Sequence, residues 1–222
     1  MEKGLIKLFE NSIKNNWNLK ALTDFNGETL QYKDVARKIE KLHILMENAG
    51  IVPGDKVALC GRNCGNWCVT FLAAISYGAV IVPILHEFKP DNIHNIVNHS
   101  EARLLFTGDY VWENLNEEEM PHLEGVICVN DFSLLTSRSE KLSFAREHLN
   151  ELFGKKFPNR FTPDMISYKE LHIRNHRILQ RCDAPLPQHP VKHHLLQGYH
   201  RSQAGRQYCI HAAHGSCFRT GV

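Results

Sequence analysis

Short apolar strand patterns alternate with amphipathic helix patterns, and this alternation restricts the possible folds more than any other feature of the sequence. Strand patterns at residues 56–60, 80–83, 104–107 and 126–129 are separated by segments whose apolar residues recur at helical spacing. Strands that alternate with helices favour a mainly parallel sheet with helices on both faces. The sequence therefore predicts an α/β fold for residues 1–170.

The local signals at element ends agree with this pattern. Asn26-Gly27 favours a hairpin turn between strands at residues 21–24 and 28–31. Gly50 is placed to end a helix over residues 32–49, and Gly78 is placed to end one over residues 66–77. A further helix is predicted from Pro90 through His99. Residues 131–156 are more polar and predict a helix and a loop at the surface.

The segment from Asn63 to Leu85 contains no charged residue and is long enough to cross a bilayer. Polar and helix-breaking residues, among them Asn66, Gly78 and Pro83, interrupt it. A buried helix followed by a buried strand accounts for the segment better, and no transmembrane span is predicted.

The seven cysteines show no disulfide spacing, and the chain does not start like a signal peptide. These features predict a reducing, cytoplasmic location.

The composition changes abruptly near residue 170. Residues 171–222 carry seven Lys and Arg against one acid, Asp183, and hold eight of the 14 His, whereas residues 1–170 carry 19 basic and 23 acidic residues. The tail has too few apolar residues for burial to offset its chain entropy. We therefore expect two regions: an ordered partial domain at 1–170 and a basic, His-rich, disordered tail at 171–222 that forms no domain.

Several runs in the first region resemble the adenylate-forming superfamily, which contains acyl-CoA synthetases, luciferases and peptide-synthetase adenylation domains. The matching runs are Leu30-Gln-Tyr-Lys-Asp-Val35, Gly50-Ile-Val-Pro-Gly-Asp-Lys-Val-Ala58, Asn66-Trp67 and Ala79-Val-Ile-Val-Pro83. The resemblance implies the N-terminal subdomain of that fold, in truncated form. One departure is Gln31, where the family often has Thr or Ser, because Gln is a poorer helix cap.

The family's chemistry begins at a later loop of the type Tyr-Thr-Ser-Gly-Thr-Thr-Gly, followed by a Lys-Gly. Backbone N–H groups and small hydroxyls of such a loop wrap the ATP phosphates without obstruction by side chains. The resemblance places the loop soon after Tyr168, yet the sequence that follows Tyr168 contains no such run.

The missing loop is found when the codons are read one base out of register. Read from the second base of each codon, residues 171–177 permit Tyr-Thr-Ser-Gly-Thr-Thr-Gly. Residues 201–222, read in the same way, permit a Leu-Pro-Met-Ala-His run like the family's next motif. We therefore expect the reading frame to change between Tyr168 and Leu171, which also accounts for the abundance of His.

The resemblance implies that the intact protein is an acid–thiol ligase. Such a ligase uses ATP and Mg²⁺ to convert a carboxylate, here a long-chain fatty acid, into an acyl-adenylate, and then transfers the acyl group to coenzyme A. Without the phosphate loop we expect this chain to be inactive and to need no cofactor, with no catalytic, cofactor-binding or metal residue. The alternative is a non-catalytic binding or interaction module that reuses the N-terminal subdomain.

Other groups of residues favour weaker hypotheses. Cys60, Cys64 and Cys68 are spaced four apart and could suggest a metal or redox cluster, but they are interpreted as core or near-core thiols. His86 and His99 are expected to be solvated at element ends. In the tail, a zinc site is not predicted from His193-His194, Cys209, His211 and His214. The basic tail predicts no specific nucleic-acid partner, and we expect aggregation or non-specific association instead.

Overall fold

Strands and helices alternate through the part of the chain that the computed structural model describes, residues 4–25 and 27–168. The strands are β1 (Lys20–Thr23), β2 (Thr29–Gln31), β3 (Lys56–Cys60), β4 (Val80–Ile84), β5 (Ala102–Thr107), β6 (Gly125–Cys128) and β7 (Leu134–Ser137). The helices are α1 (Leu5–Asn15), α2 (Tyr32–Asn48), α3 (Gly65–Tyr77), α4 (Pro90–Ser100), α5 (Asp109–Trp112), α6 (Glu140–Glu147) and α7 (Leu149–Lys156). The expected disorder of residues 171–222 lies outside the described residues.

A five-stranded sheet with the order β4-β3-β5-β6-β7 forms the centre of the fold. β3 pairs in parallel with β4 and β5, and β5 pairs in parallel with β6. β7 is antiparallel to β6, and β1 and β2 form a separate antiparallel hairpin. The prediction of an α/β fold with a mainly parallel sheet is therefore confirmed.

Alternate residues of the central strand β3 face two different cores, as the two-residue repeat of a strand requires. Val57 and Leu59 belong to the larger core, where residues of α1, α2, α3 and α6 pack. Ala58 and Cys60 belong to a smaller core on the other face, where residues of α4 and the loop after α5 pack. Helices thus cover both faces of the sheet.

The helix ends follow the local signals closely. Gly50 and Gly78 adopt the left-handed backbone, with φ of 72° and 92°, after α2 and α3. At the start of α2 the backbone N–H of Gln31 donates to the carboxylate of Asp34 at 3.1 Å. Asp34, the third residue of the helix, thus supplies its half of a capping box by accepting the backbone N–H of the cap residue.

Residues 131–156 differ from the helix and loop predicted at the surface. They form β7, α6 and α7, and Leu142 and Ala145 of α6 are fully buried in the larger core. The eight residues of α6 bury only these two positions. So few buried residues make no recognisable repeat, which explains why sequence reasoning placed this segment at the surface.

The uncharged segment 63–85 forms α3 and β4, and no helix of the described residues is long and apolar enough to cross a membrane.

The expectation of a buried strand at 80–83 is only partly met. β4 is an edge strand in which Pro83 is exposed and only Ile84 is buried. A proline is tolerated there because an edge strand leaves some backbone positions unpaired.

The last described residues are anchored in the larger core. Phe161, Ile166 and Tyr168 are all buried. The Phe161 ring lies 5.6 Å from that of Trp17, and the Tyr168 ring stacks on Phe9 with centroids 5.9 Å apart. The α/β unit therefore extends as far as Tyr168.

A candidate ligand-binding edge of the sheet

Four parallel strands end at the same edge of the sheet, at Cys60, Ile84, Thr107 and Cys128. The chain crosses from β4 on one side of β3 to β5 on the other side, so the strand order reverses beside β3. Open parallel sheets bind ligands outside the carboxyl ends of their strands at such a reversal. This carboxyl edge is the candidate functional site.

The loops after β3 and β5 run close together at this edge. The backbone N–H of Gly108 donates to the carbonyl of Cys60 at 3.0 Å. A Cβ atom on Gly61 would lie 3.6 Å from the backbone nitrogen of Gly108. This distance is an ordinary van der Waals contact, so the backbone hydrogen bond, and not the lack of a side chain at Gly61, holds the two loops together.

Aromatic and basic side chains lie beside this point. The Arg62 guanidinium lies 4.7 Å from the centre of the Tyr110 ring, and the His86 ring meets that ring edge-on at 5.9 Å. Burial raises the pKa of the Tyr110 hydroxyl, against a smaller opposing effect of Arg62. His86 is half-buried against Tyr110 and so is not simply solvated as expected, whereas His99 is exposed.

A chain of hydrogen bonds ties four elements together at the carboxyl edge. The Lys38 ammonium donates to Asn66 Oδ1 at 2.9 Å, and Asn66 Nδ2 donates to the carbonyl of Asn130 at 2.7 Å. Asn130 Nδ2 in turn donates to Asp109 Oδ1 at 2.9 Å. These bonds fix the start of α3, the end of β6 and the start of α5 relative to α2.

A groove of about 370 Å³ lies on the α2 side of this network. It is bounded by α2, the start of α3, the loop at residues 130–132 and the junction of α6 with α7. Lys38 and Lys41 of α2 and Arg146 of α6 all line it. Three acids, Glu28, Asp131 and Glu147, line it as well, so the groove carries as many acidic as basic side chains beside the carboxyl edge.

The three spaced cysteines do not form a common site. Cys60 is buried, and burial raises the pKa of its thiol to about 11. Cys64 caps α3, with its Sγ accepting from the backbone N–H of Trp67 at 3.4 Å. Burial, with smaller contributions from Cys64 and Asp24, raises the pKa of Cys68. Among the described residues no group of three His, Cys, Asp or Glu side chains could hold a metal ion.

A buried ionic cluster surrounds the anchored Tyr168. The Glu10 carboxylate accepts hydrogen bonds from Lys14 at 2.6 Å, Lys7 at 2.9 Å and the backbone N–H of Tyr168 at 3.4 Å. Burial acts to raise the pKa of Glu10, but these three hydrogen bonds outweigh it and lower the pKa. The Tyr168 hydroxyl is buried without a hydrogen-bond partner among the described residues, and burial raises its pKa.

His43 lies beside this cluster, between α2 and α3. Its Nε2 is 3.0 Å from both the carbonyl of Ala73 and the hydroxyl of Ser76. Burial lowers the pKa of His43 to about 4, against the opposing effect of the Glu40 carboxylate 3.7 Å away. His43 is therefore a neutral structural residue near pH 7.

Comparison with known families identifies the chain. The model of the AMP-binding enzyme family matches residues 9–172, and the chain belongs to this family. YdaB of Bacillus subtilis strain 168, which carries the name of an acyl-CoA ligase, is 36% identical over 101 residues, covering 46% of this chain and 20% of YdaB. Long chain acyl-CoA synthetase 1 of Arabidopsis thaliana is 25% identical over 112 residues, covering 50% of this chain and 16% of the relative. The chain thus spans about a fifth or less of the length of these relatives.

Solved structures agree with the fold. The anthranilate CoA ligase AuaEII, solved in complex with anthranoyl-AMP, superposes with a TM-score of 0.53 at 19% identity, covering 55% of this chain and 24% of that enzyme. The predicted fold, the N-terminal subdomain of the adenylate-forming enzymes, is confirmed for the described residues. Sequence reasoning named no site residue at the carboxyl edge. A signal was present in Asn66 and Asn130, polar residues that closely follow predicted strands.

Proposed function

We propose that this chain comes from an adenylate-forming ligase that activates a carboxylate with ATP and Mg²⁺ and passes the acyl group to coenzyme A. We further propose that the chain, as its sequence stands, does not complete this reaction. The observation that carries the second statement is the absence of a Gly/Ser/Thr-rich phosphate loop after Tyr168. The family match, which ends at residue 172, supports the same boundary. No described residue matches a family motif for ATP, Mg²⁺ or coenzyme A, so no reaction step is assigned to one.

The physical reason for inactivity is electrostatic. Negative charge develops on the leaving pyrophosphate during adenylation, and backbone N–H groups, a lysine and Mg²⁺ must offset it. We expect the purified chain to give no carboxylate-dependent exchange of pyrophosphate into ATP above a control without enzyme. A saturable exchange with palmitate or anthranilate would refute the proposal of inactivity.

A change of reading frame between Tyr168 and Leu171 is the proposed cause. It requires Arg174 and Arg177 to use CGG or AGG codons, because only a third-base G yields shifted glycines. It also requires TGT at Cys182, GAT at Asp183 and TCA at Ser216. The gene sequence tests these choices together. Other synonymous codons at most of these positions would make residues 171–222 a genuine protein segment.

The proposed substrate of the intact ligase is a long-chain fatty acid. The shifted motifs support this choice, as does the similarity to the Arabidopsis long chain acyl-CoA synthetase. AuaEII is named for an aromatic acid, so the chemistry common to these two proteins is activation of a carboxylate. Restoring the shifted frame in a full-length gene and comparing palmitate with acetate and anthranilate would test the substrate. A preference for either of the shorter acids would contradict it.

The alternative function is a non-catalytic binding module in a reducing cytoplasm. The anchoring of Tyr168 favours it, because the described residues bury Tyr168 in the larger core that they form among themselves. Hydrogen exchange separates the two hypotheses. Slow exchange across residues 171–222 would support a binding module, and fast exchange would support a non-functional tail.

Exposed Leu85 and Phe88 near the open edge β4 support the aggregation that we propose for the fragment. A monodisperse monomer on size-exclusion chromatography at high concentration would contradict that aggregation.

A further inference from the structure

Residues 113–121, here called the strap, lie in the link between α5 and β6 and run beside α4 over the smaller core. Met120 of the strap is fully buried in that core. The second half of the strap is held by Arg138, which donates to the carbonyls of Glu117, Met120 and Pro121. The strap therefore covers the smaller core and depends on its anchors to stay there.

Two side chains of α4 also hold the strap. Asn98 donates through Nδ2 to the carbonyl of Glu119 at 2.7 Å. The second side chain is His94, which is buried and whose Nε2 accepts the backbone N–H of Asn116 at 3.1 Å. Of these anchors, only His94 changes charge between pH 5 and 8, because an amide does not titrate and Arg138 stays protonated.

The contact with Asn116 assigns the proton of the neutral His94 ring. A backbone N–H only donates, so Nε2 must be the bare nitrogen and Nδ1 must carry the proton. Nδ1 lies 2.9 Å from Glu119 Oε2, but the angle is too poor for a well-directed hydrogen bond. The hydrogen bond from Asn116 is therefore the main link between the neutral ring and the strap.

Protonation of His94 removes this link. The added proton goes to Nε2, where it faces the N–H of Asn116 and leaves that donor without its acceptor. The charged ring is attracted more strongly to the Glu119 carboxylate, which favours a turn of the ring toward Glu119. The Glu119 side chain is 56% exposed, so it can follow the ring without holding the backbone of Asn116.

We propose that His94 is a pH-sensitive switch, whose protonation releases residues 113–116 of the strap while Asn98 and Arg138 keep the rest in place. This inference does not rest on the proposed ligase activity, because the switch lies within the described fold.

Other charged groups near the ring do not take over this role. Glu117 lies 3.6 Å from Arg138 and is paired with it. Glu113 and Glu118 of the strap and Asp91 of α4 are exposed, so solvent screens their effect on His94. Glu119 is the carboxylate that contacts the ring, and its attraction acts on Nδ1 rather than on the link to Asn116.

Millisecond hydrogen exchange of the full chain at pH 7.5 and pH 5, followed by mass spectrometry and corrected for the intrinsic rate at each pH, tests the proposal. We expect protection of the amides at 113–116 to fall by about fivefold at pH 5, the effect of losing one hydrogen bond. In His94→Gln, whose side chain keeps an acceptor but does not titrate, protection should be the same at both pH values.

The matched control is His43→Gln, which removes the other buried histidine and should leave the fall at 113–116 in place. A fall that disappears in His43→Gln but persists in His94→Gln would come from global unfolding and would overturn the proposal. Equal protection at both pH values in the unaltered chain would also overturn it.

A second measurement needs no variant and covers the case in which His94→Gln does not fold. In ¹⁵N NMR of the unaltered chain, the Asn116 amide shift should follow the protonation of His94 with one midpoint. An Asn116 amide that keeps its shift while His94 titrates, or a His94 that stays neutral down to pH 5, would contradict the switch.

Discussion

The amino and carboxyl ends of the parallel strands both carry clusters of basic side chains, with different partners. At the amino end, the Arg103 guanidinium contacts Asp55 at 2.9 Å, Glu124 at 3.0 Å and the carbonyl of Gly50 at 2.7 Å. Arg138 donates to four backbone carbonyls, those of Met120, Pro121, Leu123 and Glu117. At the carboxyl end, Lys41 and Arg146 donate to neutral oxygens, and Lys38 donates to Asn66 and lies 4.0 Å from the exposed Glu28 carboxylate.

The difference separates charges that stabilise the fold from charges that have fewer partners within it. A cation whose donors are taken up by carboxylates and carbonyls stabilises the loops that supply them, and its loss leaves those oxygens unpaired. A cation with spare donors and cationic neighbours contributes little to stability. The comparison therefore predicts large stability effects for groups paired within the protein and small ones in the groove.

The largest effect is expected at His43, whose Nε2 is fully engaged within the protein. Between pH 6.5 and about 4 the unfolded chain binds a proton that the folded His43 does not accept, so the free energy of unfolding falls as the pH falls. The full effect at low pH is about 3 kcal/mol. Urea unfolding at pH 7, 6, 5 and 4.5 measures it.

The comparison variant for this test is His43→Gln, which retains a donor for the carbonyl of Ala73 but does not titrate. Its free energy of unfolding should change less with pH than that of the unaltered chain. Glu40, Glu10, Lys156 and Tyr168 face the same region, and they are present in both proteins. Parallel pH profiles for the two proteins would show that His43 is not the titrating group.

The next effect is expected at Arg103 in the amino-end cluster. Arg103→Met leaves Asp55 and Glu124 side by side without their shared cation, and it should lower the free energy of unfolding by about 2 kcal/mol. Lys56→Met is the control, because its ion-pair partner Glu101, at 3.5 Å, is exposed, and the change should alter stability little. Equal losses in the free energy of unfolding of the two variants would show that buried pairing with carboxylates does not set how much these basic side chains stabilise the fold.

A smaller effect of opposite sign is expected at Tyr168. Tyr168→Phe removes a buried hydroxyl that has no partner among the described residues, so stability should be unchanged or rise by up to about 1 kcal/mol. Tyr168→Ala should instead cost about 3 kcal/mol, because it removes the ring that stacks on Phe9. Chemical denaturation of both variants at pH 7 measures the two changes in the free energy of unfolding. A clear loss of stability in Tyr168→Phe would reveal a partner for the hydroxyl.

The smallest effect is expected in the groove. Lys41→Met should alter the free energy of unfolding by less than about 0.5 kcal/mol, because the lost hydrogen bond to Asn150 is offset by relief of repulsion from Arg146 and Lys38. Urea unfolding at low ionic strength measures the change. A loss as large as that of Arg103→Met would place Lys41 among the structural cations.

The sequence by itself determined most of the elements up to residue 129, and the family. Residues 56–60 were predicted as a strand with the bounds that β3 has, and α2 and α3 differ from their predictions by one residue at one end. Apolar periodicity and glycine turns are local signals, so they can be read without knowledge of the rest of the chain. The motifs around Gly50 and Asn66 were sufficient to indicate the adenylate-forming fold for the same reason.

Only the tertiary structure decided the position of β7, the burial of Tyr168 and the convergence of Lys41 with Arg146. Lys41 lies on α2 and Arg146 on α6, and no local pattern relates residues so far apart in sequence. Their proximity depends on how two helices pack on one face of the sheet, which the whole core sets. The same packing surrounds Arg103 with two carboxylates and a backbone carbonyl, whereas it gives Lys41 the neutral acceptor Asn150.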